Sequence, residues 1–225
     1  MLQIHCLKLK KEKKNIFSRF AIGPFKKGQG LTFGNAFRRM LLSDLQGLAI
    51  AGAFIPNVSH EFSLIPNVKE DLIDILLNLK QIVLKGSIEE PILAKVVFQG
   101  PGFITAKDII LPSEVALVDP NQYIATVTTK QVVTMDLLIQ VGEGYSTHPT
   151  YSLPEGFLFI DSVYMPVIKV NFFLESLTNI NSCKFENLVL EITTNGSITP
   201  IAALNTALIN LRKMIESLET AIFTK

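Results

Sequence analysis

Glycines ahead of a helix, an arginine pair and three histidines are the features of this chain whose residue types could do chemistry. Gly28-Gln29-Gly30 precedes a helical stretch and Gly34 follows, which raises nucleotide binding, because glycine lets backbone approach phosphate and a helix N-terminus attracts it. The spacing fails that test. A dinucleotide site needs G-x-G-x-x-G after a strand, yet position 33 is Phe33, and the Gly-Lys-Ser/Thr of a phosphate loop does not occur. The glycines are read as a tight turn into the helix. His5, His60 and His148 are scattered, and GxSxG, HExxH and Asp-x-Asp are absent, so no nucleophile, base or metal set stands at working spacing. Each histidine is read as structural, with no catalytic residue, metal or cofactor expected. Cys6 and Cys183 form no CxxC and are read as ordinary thiols.

The arginines remain. Of four in the chain, Arg19, Arg38, Arg39 and Arg212, two are adjacent inside an otherwise apolar helix. Helix neighbours point about 100° apart, so at least one leaves the apolar face. Two readings stand: a solvated face, or a planar fork that clamps a partner's carboxylate or carbonyls. The lysine run Lys8, Lys10, Lys11, Lys13, Lys14 lacks interleaved aromatics and reads as a strand edge or tail rather than a nucleic-acid site.

Three helices must position these groups. The first is expected from about Thr32, as N-cap, to Asp44, with Phe33, Phe37, Met40 and Leu41 on one face. The second is expected from about Val68 to Leu79, with Asn67 and Glu70 at capping-box spacing and Val68, Leu72, Ile75, Leu76 and Leu79 as its buried stripe. The third starts with Thr199 as N-cap and Pro200 at the first helical position. Segments 92–98, 123–128, 132–141, 162–173 and 188–194 are rich in β-branched or aromatic residues and read as strands. Gly100-Pro101-Gly102, Asp119-Pro120-Asn121 and Asn195-Gly196 punctuate them. The class is α+β with much antiparallel sheet.

In the last helix Ile201, Leu204, Leu208, Leu211, Ile215, Leu218 and Ile222 repeat at spacings of three and four, an a/d seam beside Ala207, Met214 and Ala221. Such a seam packs on its own domain or on a partner helix, and spacing does not choose between them.

The 225 residues are 48% apolar, enough for one large or two modest domains. Charge is nearly balanced at +1, which excludes a global attraction to nucleic acid or anionic membrane. The longest apolar runs, such as Leu48 to Ile55, fall short of the roughly 20 residues of a spanning helix. MLQIHCLKLKKEKK lacks the charge order of a signal peptide, so secretion is not expected, and Asn57-Val58-Ser59 and Asn195-Gly196-Ser197 are read as chance sequons.

GQGLTFGNAFRRMLLSD, Gly28 to Asp44, resembles the signature of the amino-terminal region of the bacterial-type RNA polymerase alpha subunit. HEFS at His60 to Ser63, VKEDLIDILLNLK at Val68 to Lys80, DSVYMPVIKVNF at Asp161 to Phe172 and LVLEITTNGSITP at Leu188 to Pro200 extend the likeness in the same order. The resemblance implies a two-part α+β fold: residues 1–46 plus 167–225 as a dimerisation domain, two helices on an antiparallel sheet, and 47–166 as an inserted mixed β/α domain contacting the large subunits. It implies a homodimer that nucleates assembly of the catalytic beta and beta-prime subunits of a DNA-directed RNA polymerase, a nucleotidyltransferase whose metal-binding aspartates lie on another subunit. Phe33, Phe37, Met40, Leu41, Leu204, Leu208, Leu211, Ile215 and Leu218 would form the dimer interface. Arg38 and Arg39, with His60 and Glu61, would meet beta; Lys80 and Ile160 would meet beta-prime. The competing reading is a nucleic-acid-binding or other dimeric interaction module.

Three departures qualify the resemblance. The chain stops at Lys225, where many family members continue into a DNA-contacting domain, so DNA contact is expected only through the assembled complex. Glu143 in GEGY replaces a basic residue, and Ser182 in NSCKFEN stands where arginine is common. The MPV-x-x-VNF wording and the Lys, Asn, Ile and Phe content resemble plastid-encoded versions, implying the chloroplast stroma or, alternatively, a bacterial cytoplasm.

Overall fold

The computed structural model describes residues 2–58, 60–148, 153–178 and 184–223. In chain order the strands and helices are β1 (Gln3–Glu12), β2 (Asn15–Lys26), α1 (Gln29–Ser43), β3 (Gln46–Phe54), α2 (Leu72–Lys80), β4 (Leu84–Gly86), β5 (Ile92–Gln99), β6 (Gly102–Thr105), β7 (Ile109–Ile110), β8 (Val115–Leu117), β9 (Tyr123–Val127), β10 (Val132–Glu143), β11 (Tyr145–Ser146), β12 (Leu158–Phe159), β13 (Ser162–Val163), β14 (Val167–Thr178), β15 (Lys184–Thr194) and α3 (Pro200–Phe223). The class is α+β, with every strand pairing between these elements antiparallel.

The chain divides into two compact units. The first comprises Met1–Leu45 and Met165–Lys225, the second Gln46–Tyr164. In the first, a four-stranded sheet of order β1-β2-β15-β14 turns one face to α1 and the start of α3, burying Phe20, Ile22, Phe37, Met40, Leu41, Leu188, Leu190, Ile192, Ala203, Leu204 and Ala207. Strand β1 is exposed at all ten positions and carries Lys8, Lys10 and Lys11, the charges that discourage pairing on an open edge. The opposite edge, β14, is capped from α1: Arg38 Nη1 donates to the Val170 carbonyl at 2.9 Å.

Helix α1 starts three residues before the expected Thr32, and its N-cap is Gly28 at φ 93°, a left-handed conformation suited to glycine. Glycine has no side-chain oxygen to cap the free amides, and Glu186 of β15 supplies it. Its Oε1 accepts from Gly28 N and Gly30 N, both at 2.9 Å. Close approach explains Gly34: an added Cβ would stand 2.5 Å from the Phe172 ring.

In the second unit the sheet order is β12-β3-β10-β5-β7. Strand β3 and the middle of β10 are buried on both faces, so they read as continuous apolar runs without the alternation that marks a half-exposed strand. Helix α2 inserts Leu72, Ile75 and Leu79 into this core. It begins at Leu72 with Asp71 as N-cap, later than expected. The Asn67 and Glu70 pair does other work: the Asn67 carbonyl accepts from Thr128 N and Oγ1, and Glu70 accepts from Thr126 N and the Tyr123 hydroxyl. Burial opposes ionisation of Glu70, but these donors outweigh it and lower the carboxyl pKa. The single strand expected over 162–173 is two, β13 and β14, separated around Pro166, which has no amide hydrogen for a ladder.

Candidate interaction surfaces

Helix α3 begins as its sequence predicts, with Ala202 N donating to Thr199 Oγ1 at 3.3 Å and Ala203 N to the Thr199 carbonyl at 2.9 Å. Its 24 residues span about 36 Å at 1.5 Å rise. Only the first half of the helix packs on the core of its unit. Ala203, Leu204 and Ala207 are buried, Leu208 and Leu211 are half-buried against the same core, and every residue from Arg212 to Ile222 is exposed. Ile215 is 50% exposed, Leu218 60% and Ile222 71%.

This divides the expected interface residues. Phe37, Met40, Leu41 and Leu204 are 1–6% exposed within their own unit, so they support the surface from below and have almost no area to offer a partner. Phe33, 39% exposed and stacked on Phe25 at 5.2 Å between centroids, and Ile215 and Leu218 are the open ones. The arginines separate likewise. Arg38 serves Val170 of its own edge strand, whereas Arg39 is exposed and its guanidinium has no hydrogen-bond or ion-pair partner among the described residues.

A second surface lies wholly on the second unit. A groove of about 220 Å³ is lined by Glu61, Ile73, Leu76, Leu77, Lys80, Phe159, Ile160 and Asp161. Lys80 Nζ stands 3.4 Å from Asp161 Oδ2 and 3.4 Å from the Tyr145 hydroxyl, and 5.0 Å from the centre of the Tyr145 ring. The Tyr145 hydroxyl donates to Asp161 Oδ2 at 2.8 Å. That hydrogen bond foremost, with the Lys80 charge, lowers the Asp161 pKa against a smaller opposing effect of burial. The site thus holds an ordered cation beside an ionised carboxylate.

Ile160 is only 3% exposed and its amide donates to the Ala51 carbonyl; it is core, and its neighbours Phe159 and Asp161 provide the surface expected of it. His60 is exposed and shares a 3.2 Å hydrogen bond with Ser63. Glu61 and Lys80, assigned to different partners by resemblance, line one groove. Ile73, Leu77, Tyr145 and Asp161 were not anticipated. Ile73 and Leu77 were legible: they put apolar side chains outside the stripe that buries α2, which a one-sided helix does not need. Glu143 is held by Gln46 Nε2 at 3.0 Å across β10 and β3, while Ser182 and Cys183 lie outside the described residues. Among those residues no group of three or more His, Cys, Asp and Glu is placed to hold a metal, and no helix is long and apolar enough to cross a membrane.

A sheet-and-helix unit interrupted in sequence by a second antiparallel unit defines a discontinuous two-part α+β class of protein. Residues 49–165 match the RNA polymerase Rpb3/RpoA insert domain. The whole chain is 45% identical to a DNA-directed RNA polymerase subunit alpha of Emiliania huxleyi, covering 74% of it. A subunit of the same name from Guillardia theta is 45% identical over 97% of this chain and 70% of its own length. One from Synechococcus sp. (strain JA-3-3Ab) is 42% identical over 91% and 63%. The chain belongs to the family of DNA-directed RNA polymerase alpha subunits, and its algal and cyanobacterial relatives group it with the plastid type.

Proposed function

We propose that the chain is the assembly scaffold of a plastid RNA polymerase, acting in the stroma: it homodimerises and recruits the beta and beta-prime subunits, which carry the chemistry. The observation that carries this reading is the exposed second half of α3. Fully burying an Ile or Leu is worth about 1.5–3 kcal/mol, so Ile215, Leu218 and Ile222, already half or more exposed, stand to gain roughly 1–2 kcal/mol each from a second copy. The first unit is then the dimerisation domain and the second the contact to the large subunits. Arg39, whose five donors are unengaged among the described residues, is the arginine for beta, and Lys80 is the cation for beta-prime.

Sedimentation of the purified chain at micromolar concentration tests the dimer. Wild type is expected as a dimer, and Leu218→Glu, which changes a side chain outside the core, as a folded monomer. A monomeric wild type would refute the reading. In pull-downs Arg39→Ala should lose beta while remaining dimeric, and Arg38→Ala should lose stability first.

A further inference from the structure

We infer that the groove on the second unit accepts one continuous apolar segment of a large polymerase subunit that carries a lysine or arginine, and that Glu61 receives that cation. The inference rests on the reading of Lys80 as a large-subunit contact and supplies the chemistry of what docks there. One wall is α2, which presents Ile73, Leu77 and Lys80 at positions i, i+4 and i+7, a single face of the helix. The other wall runs from Phe159 to Asp161.

Three charged groups line the groove. Lys80 and Asp161 are 3.4 Å apart and offset each other, and Tyr145 fixes both. Glu61 is exposed and has no partner among the described residues. The surface is therefore apolar with one unmatched negative charge. A purely apolar segment would strip water from the Glu61 carboxylate without replacement, which is unfavourable. An acidic segment would face both Glu61 and Asp161. A segment with one basic side chain satisfies Glu61 while its apolar residues cover Ile73, Leu77 and Phe159, and electrostatic matching of this kind sets partner choice more than affinity. Because Glu61 and Lys80 share one groove, a single segment meets both.

The test uses the full chain with recombinant beta-prime and beta subunits, measuring capture of each at several salt concentrations. Glu61→Lys should weaken beta-prime binding about tenfold or more, and Glu61→Gln several-fold with a flatter salt dependence, since one ion pair is lost. Lys80→Ala and Leu77→Ser should weaken the same partner, and dimerisation and beta capture should not change in any of the four. If Lys80→Ala weakens beta-prime while both Glu61 variants bind normally, the inference fails and the Lys80 contact survives. If neither position affects beta-prime, both fall. Loss of beta on Glu61→Lys, with beta-prime retained, would overturn the single-segment occupant. Glu61 is exposed and unpaired among the described residues, so its variants are expected to fold, which circular dichroism checks.

Discussion

Removal of the Glu186 carboxylate should unpin the start of α1. Glu186 is 8% exposed, stands beside the register shift between Glu186 and Leu188 in the β15–β2 pairing, and accepts from two helix-terminal amides at 2.9 Å each. In Glu186→Ala those amides lose their acceptor. A buried donor left unpaired costs about 1–3 kcal/mol, and loss of an anion at a helix N-terminus adds about 0.3–1 kcal/mol. Gly30 is buried and Gly28 exposed, so only the Gly30 amide bears the full cost while water reaches the other, and we expect about 1–4 kcal/mol of destabilisation. Glu186→Gln keeps an acceptor and loses the charge, and should cost about 1 kcal/mol. Urea unfolding followed by circular dichroism, at one fixed protein concentration because association shifts apparent stability, gives the difference. Amide hydrogen exchange at Gly28 and Gly30 localises it. An alanine variant within about 0.5 kcal/mol of wild type, with unchanged exchange at both glycines, would refute the capping argument.

Gly34→Ala places a Cβ 2.5 and 2.6 Å from two Phe172 ring atoms and 3.0 Å from Leu188 Cδ1. Overpacking of about 1–3 kcal/mol outweighs the helix-propensity gain of up to ~1 kcal/mol, so thermal unfolding should move down by a few degrees; an unchanged or higher midpoint would contradict the close packing. Tyr145→Phe removes the hydrogen bond that chiefly lowers the Asp161 pKa, and NMR titration of that carboxyl should record an upward move. Because the folded pKa is depressed, the stability it contributes is present above the unfolded value of about 3.9 and is lost as pH falls through the folded value. The variant should therefore show less acid-dependent loss of stability at this site, and an unmoved titration would assign the shift elsewhere.

Helix caps show how much was legible locally. Thr199-Pro200 set the start of α3 as read, because that cap is made by the residues beside it. The start of α1 was misplaced because its cap comes from Glu186, 156 residues beyond Gly30, and no local pattern reports a distant oxygen. Asn67 and Glu70 had capping-box spacing, yet β9 and the residue after it claimed both through Thr126, Tyr123 and Thr128. Strand β3 was not set out, since burial on both faces erases alternation; in β1, Leu7-Lys8-Leu9-Lys10 does alternate, but the lysine run read equally as an edge or a tail.

By itself the sequence determined the α+β class, the heptad stripe of α3, the arginine pair and, through the long matching blocks, the family. Tertiary structure decided which of those residues face outward. Leu204 and Leu218 occupy equivalent heptad positions, but Leu204 packs into the core at 1% exposure while Leu218, beyond the half-buried Leu211, is 60% exposed, so one is core and the other is surface. Arg38 and Arg39 are chemically identical neighbours, and only the position of the Val170 carbonyl on a sheet edge distinguishes the arginine that serves its own fold from the one whose side chain has no partner among the described residues.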